Sequence, residues 1–236
     1  MKNLFESIAN GLLYAWKKEM NIPLPGKLRE RAVEYGDWGC AGFPLLGWLI
    51  GLVITLAGVI VQAVFNIYAG ALVFAVLTWL LFLYRDSGQC DGAFSAFLTG
   101  KLPGDNVRNM MPVFLMIVRM AMLVLLFIHG KMWHLPMIIA GVFMLEALLT
   151  MNGTFMPPLL DDSPESRRNM WVTAVILAFI SFAMCPLATA LGIALFMVIW
   201  RISQGRSEHE GSDLHQITIA GGAAGWALLL AGVLAI

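Results

Sequence analysis

Long apolar runs constrain this chain more than any other feature. Residues 43–65 read FPLLGWLIGLVITLAGVIVQAVF without one charged side chain. About 20 such residues, wound as a helix, cross the hydrocarbon core of a bilayer, and in lipid the backbone must satisfy its own hydrogen bonds. Runs of the same kind occupy 68–84, 111–129, 134–151 and 217–236, of which 111–129 and 134–151 carry one charge each. The stretch 171–200 is too long for one span and holds Pro186 near its middle. Proline removes a helix hydrogen bond and clashes with the preceding turn, so this stretch predicts two short spans, about 171–185 and 187–201. The expectation is an all-α, polytopic membrane helical bundle of seven spans, or six if 171–200 is one kinked helix.

Composition excludes the soluble alternatives. The chain is 59% hydrophobic and 13% charged, where soluble domains average about 45–50% and 25%. Neither an ordinary globular enzyme nor a disordered chain fits. Fifteen basic residues balance 15 acidic ones, which argues against nucleic acid as a partner. Cys40, Cys90 and Cys185 are far apart and form no CxxC pair, so neither a zinc site of their own nor a disulfide framework is expected.

Residues 1–42 form a separate N-terminal region ahead of the membrane domain, 43–236. Leu4, Phe5, Ile8, Leu12, Ala15 and Trp16 recur at helical spacing. They predict an amphipathic helix that either lies on the membrane surface or caps the bundle. Glu6 and Asn10 interrupt what would be the apolar core of a signal peptide, so a cleaved leader is not expected. The segment NIPLPGKL, Asn21 to Leu28, is extended and returns the chain to the first span.

The charges are sorted by side. With seven spans, one face holds residues 1–42, 85–110, 152–170 and 202–216, and there lie almost all lysines, arginines and acids. The other face has Lys131 alone. The positive-inside rule makes the charged face cytoplasmic. This puts the N-terminus inside, the C-terminus outside, and any hydrophilic chemistry at the cytoplasmic face of an inner membrane. A transporter needs polar groups along its path, and these spans are nearly clean. Only Arg119 and Glu146 lie within them, at similar depth, and an ion pair between the two is expected.

Two segments could carry chemistry. The connection 84–109, within the acidic loop 85–110, contains Asp86, Asp91 and Asp105 beside Arg85, Lys101 and Arg108. Two carboxylates five residues apart at a span's end can share Mg²⁺, which takes oxygen ligands from one or two carboxylates and substrate phosphates. The basic residues could hold a pyrophosphate; a solvated, self-balancing loop is the plainer reading. Residues Ala93 to Leu98 are apolar enough to re-enter the membrane edge. The segment 203–216 gathers Glu208, His209, Glu210, Asp213 and His215, again a solvated loop unless it touches substrate or metal.

These pieces, in this order, resemble the cobalamin synthase family, adenosylcobinamide-GDP ribazoletransferase. The family's Pro-rich segment corresponds to Met20-Asn21-Ile22-Pro23-Leu24-Pro25. Its Phe-Pro-Leu-Val-Gly-x-x-x-Gly run corresponds to Phe43 through Gly51, the closest motif match. Its acidic motif corresponds to Asp86 through Gly92, and its late Gly-Gly-x-Thr-Gly-Asp motif to Gly211 through Gln216. Three family acids are here two, the family's arginine falls on Asn21, and its late aspartate falls on Gln216. The resemblance, which covers the whole chain in length and layout, implies a divergent Mg²⁺-dependent transferase. It would join α-ribazole, or its phosphate, to adenosylcobinamide-GDP with release of GMP, the lower-ligand attachment step of cobalamin biosynthesis. Asp86 and Asp91 would hold Mg²⁺. Arg85, Lys101 and Arg108, with Asp105 near them, would contact the phosphates, and Asp213 or His215 would orient the nucleophile. Two alternatives stand beside it. Asp91-Gly92 also begins a CDP-alcohol phosphotransferase signature, although Ser95-Ala96 stands where that signature has Ala-Arg. A scaffold of the same fold with an impaired site is the other. The lipid bilayer is a partner in every case, and a homo-oligomer is left open.

Overall fold

A computed structural model describes residues 2–20, 23–32, 38–86, 89–100, 105–151, 163–210 and 214–236. Side chains are described throughout these except at 2–4, 86, 89–92, 105–109, 206–210 and 214–215. The described residues form ten α-helices and no strand: α1 Lys2–Glu19, α2 Gly26–Arg31, α3 Gly42–Val64, α4 Ile67–Asp86, α5 Gln89–Thr99, α6 Asp105–Ile128, α7 Leu135–Met151, α8 Pro164–Met184, α9 Pro186–Glu210 and α10 Leu214–Leu234.

Local chemistry explains where the helices stop. Asn66 accepts a hydrogen bond from the Ala69 amide through its side chain and starts α4 directly after α3. Helix α6 ends in a Schellman turn: Gly130 has φ of 69°, its amide bonds Phe127 O, and the Lys131 amide bonds Leu126 O at 2.7 Å. Only glycine takes that backbone conformation without penalty. Ser163 caps α8, accepting from the Ser166 amide at 3.1 Å, with Pro164 at the first helical position. Pro186 separates α8 from α9.

Among the described residues, six helices are long and apolar enough to cross a membrane: those within α3, α4, α6, α7, α9 and α10. Helix α8 has 21 residues but begins with Glu165, Arg167 and Arg168, which dilute its apolar character. It is nevertheless a separate helix. Trp171, early in α8, meets Trp200, late in α9, with ring centroids 5.3 Å apart, so the two run antiparallel. Both outrun the apolar stretches that predict them, because helix hydrogen bonding continues into the charged flanks.

The long helices alternate in direction. Gly47 and Gly51 of α3 lie against Ile139–Ala140 and Pro136 of α7 in antiparallel register. Phe127, at the end of α6, packs between Gly58, Gly70 and Phe74 at the α3–α4 turn. Cys185, Ala188, Ala235 and Trp133 cluster together. The α3–α4, α6–α7 and α8–α9 turns and the end of α10 therefore share one end of the bundle. The opposite end carries the charged segments. There α1 caps the start of α3: Tyr14 meets Phe43 edge-on at 6.0 Å, and Gly11 abuts the Trp38 backbone.

Helix α7 is the centre. Its apolar stretch is 78% buried, against 22% for those of α6 and α9. Its contact with α3 is made close by glycines four residues apart: a Cβ at Gly51 would stand 2.5 Å from Pro136 Cα, and one at Gly47 2.8 Å from Ile139 O. Small residues at this spacing let membrane helices touch backbone to backbone. The Phe-Pro-Leu-Leu-Gly run thus has a packing role in this fold.

Candidate functional site

Arg85 stands one residue before the end of α4, at the charged end of the bundle. A lone arginine there could reach water. Instead it turns inward, with 3% of its side chain exposed. Its Nη2 donates to both oxygens of Glu146 at 2.6 Å. Its Nη1 lies 3.8 Å from Glu19 Oε2 of α1. The guanidinium also sits over the Phe143 ring at 4.8 Å and the Phe82 ring at 5.9 Å. One cation thereby ties α1, α4 and α7 together.

Arg119 of α6 completes the centre from the other side. It is buried, 4.5 Å above the Phe82 ring and 5.7 Å from that of Trp226. Trp226 of α10 in turn stacks on Phe94 of α5 at 6.5 Å. Its indole Nε1 is buried and has no hydrogen-bond partner among the described residues. Two glycines of α10 make room: a Cβ at Gly225 would meet Arg119 Nη2 at 3.0 Å, and one at Gly221 would collide with the Glu146 carboxylate. Burying ions is costly unless they are paired and hydrogen-bonded, and more so in hydrocarbon. Here ion pairs and aromatic faces share that cost.

The spacing of the charges points to Arg119 as partner of Glu146. The structure gives Glu146 to Arg85 through two hydrogen bonds, and places Arg119 against Phe82 and Trp226. In the sequence Arg85 groups with the acidic loop because it borders it. The available signal was its position on α4: Phe74, Thr78, Phe82 and Arg85 recur at helical spacing and are all buried. Glu19 carried no such signal, because its partner lies on another helix.

The remaining candidate residues whose backbone is described sit at helix ends. Asp86 is the last residue of α4, Asp91 the third of α5, Asp105 and Arg108 lie in the first turn of α6, and His215 is the second residue of α10. Their side chains lie outside the description, as do Lys101 and Asp213 entirely. Helix α5 packs chiefly on α10 and α6, with Ser95 and Thr99 buried and Phe97 and Leu98 exposed. The acidic connection is therefore largely helical and lies beside the spans. Comparison with protein-family models, curated proteins and solved structures returned no match.

Proposed function

We propose that the chain is a membrane-embedded, Mg²⁺-dependent phosphotransferase that acts at the charged end of the bundle. Its reaction joins α-ribazole, or its phosphate, to adenosylcobinamide-GDP and releases GMP. The observation that carries the reading is the Arg85–Glu146 lock. It anchors the last turn of α4 onto the central helix, and the next residue is Asp86. Only a two-residue link separates α4 from α5, so Asp86 and Asp91 belong to the ends of two adjoining helices.

The donor chemistry fits the metal. Magnesium is held by oxygen ligands, typically one or two carboxylates together with substrate phosphates, and Asp86 and Asp91 supply carboxylates. When bound, the ion would neutralise charge on the pyrophosphate. The chain's own residues do the rest. In the reaction an oxygen of the ribazole substrate bonds to the cobinamide-side phosphorus, and the bond from that phosphorus to the GMP oxygen breaks. Asp213 or His215, the latter the second residue of α10, would orient an attacking hydroxyl and accept its proton. Lys101 and Arg108 would steady the phosphoryl oxygens. Such a reaction depends on positioning and charge stabilisation more than on covalent catalysis. Arg85 works by holding α4 in place, and Arg119 adds a buried positive charge over the Phe82 ring of the same helix. The orientation that supports this reading puts the charged end in the cytoplasm of an inner-membrane protein.

The test is GMP release by purified full-length chain supplied with adenosylcobinamide-GDP, α-ribazole and Mg²⁺. Release that disappears in Asp86→Asn and Asp91→Asn is expected. Full activity in both variants would remove the metal assignment. A folded wild-type chain that releases no GMP would favour the scaffold, and release of CMP from a CDP-alcohol would favour the other transferase class.

A further inference from the structure

A cavity of about 150 Å³ lies between α3, α7, α8 and α9, away from the charged centre. It exists because small residues face one another there: Ala140 and Gly141 of α7, Ala174 and Ala178 of α8. Helix α8 buries few side chains, among them Met170, Leu177 and Ser181 on one face, so it spans the gap without filling it. The lining is apolar. The polar atoms at its edge are spent on each other, with Trp48 Nε1 donating to Ser181 Oγ at 3.2 Å.

Water is a poor occupant, because a buried water needs two to four polar partners. Apolar cavities of about 150 Å³ stay dry and accept benzene-sized hydrocarbon. The mouth faces a hydrocarbon source. Val175 of α8 and Ile193 and Met197 of α9 border the cavity and are 56%, 40% and 43% exposed, on helices whose outer faces meet lipid in a membrane bundle. We propose that this crevice is a binding site for one acyl chain of a bilayer lipid, inserted between α8 and α9 onto α7. The bound chain seals α8 to the bundle, taking the place of protein side chains that the small residues do not supply.

The test uses the full chain in nanodiscs doped with a phosphatidylcholine that carries a photoactivatable diazirine in its acyl chain. After illumination, adducts are mapped by mass spectrometry. Labelling is expected at Gly141 and Ala178 as well as at Phe179, which is 75% exposed and meets bulk lipid. Ala178→Phe and, independently, Ala174→Leu fill the cavity. Each should reduce the Gly141 adduct severalfold and leave the Phe179 adduct unchanged. Wild-type labelling confined to exposed positions such as Phe179 would overturn the proposal. So would Gly141 labelling that persists in both filled variants. A disulfide between two copies bearing Val175→Cys, with Gly141 unlabelled, would assign the crevice to a second copy and overturn it too.

Discussion

The Arg85–Glu146 pair makes the sharpest energetic prediction, because two arginines, Arg85 and Arg119, compete for the role of partner. The perturbation is a double-mutant cycle of Arg85→Leu and Glu146→Leu. Only 3% of the Arg85 side chain and 11% of the Glu146 side chain is exposed, so each single change takes its closest counter-charge from a buried ion. Loss of one partner of such a pair costs about 3–5 kcal/mol. Glu146→Leu belongs at the lower end, about 3 kcal/mol, because Arg85 keeps Glu19 at 3.8 Å and the Phe143 ring at 4.8 Å. Arg85→Leu should cost about 4 kcal/mol, since the Glu146 carboxylate loses both of its 2.6 Å hydrogen bonds to Arg85. The double variant removes both charges of the pair together, so its loss should fall short of the sum by about 2 kcal/mol or more. Equilibrium unfolding in mixed detergent micelles reads all three. The same cycle on Arg119 and Glu146 should give a smaller coupling. Coupling below about 0.5 kcal/mol for Arg85–Glu146, or a larger one for Arg119–Glu146, would refute the assignment of the partner.

Other consequences follow from packing and topology. Gly51→Ala drives a methyl group into the Pro136 backbone and should cost about 1–3 kcal/mol in the same unfolding assay; an unchanged midpoint would contradict the close α3–α7 contact. Cysteines placed at Phe5 and at Ile236 should react with an impermeant maleimide from opposite sides of sealed vesicles, since α8 and α9 are antiparallel and α10 ends at the turn-bearing face; reaction from the same side would exclude seven crossings. In a chain freed of Cys40 and Cys90, the thiol of Cys185 is raised above its ordinary value by burial, with Lys131 opposing that shift. Thiolate is the reactive form, so the rise of its alkylation rate should come at higher pH than for a free thiol; a coincident profile would show that the α8–α9 turn is open.

Much of the fold was legible because membrane insertion is a local, one-dimensional criterion. The run 43–65 announces a span whatever its neighbours do, and Pro186 breaks a helix in any context. Helix lengths were less legible. Apolar content marks where lipid is, whereas helix hydrogen bonds persist into polar flanks such as 164–169 and 201–210. The charged centre was legible only in part. Arg119 and Glu146 stood out as charges inside spans, but Arg85 was hidden at a boundary and Glu19 lay on a separate amphipathic helix.

By itself, then, the sequence determined an all-helical membrane chain, the break between α8 and α9, and the gathering of charge at one face. These follow from hydropathy and backbone chemistry, which act residue by residue. Only the tertiary structure decided which arginine holds Glu146, why Gly47 and Gly51 stand where they do, that α5 stacks on α10 through Phe94 and Trp226, and that α8 leaves a crevice on α7. Each of these depends on which helix faces meet. Rotating one helix by a single residue, about 100°, exchanges the side chains at every such contact while leaving the hydropathy profile unaltered.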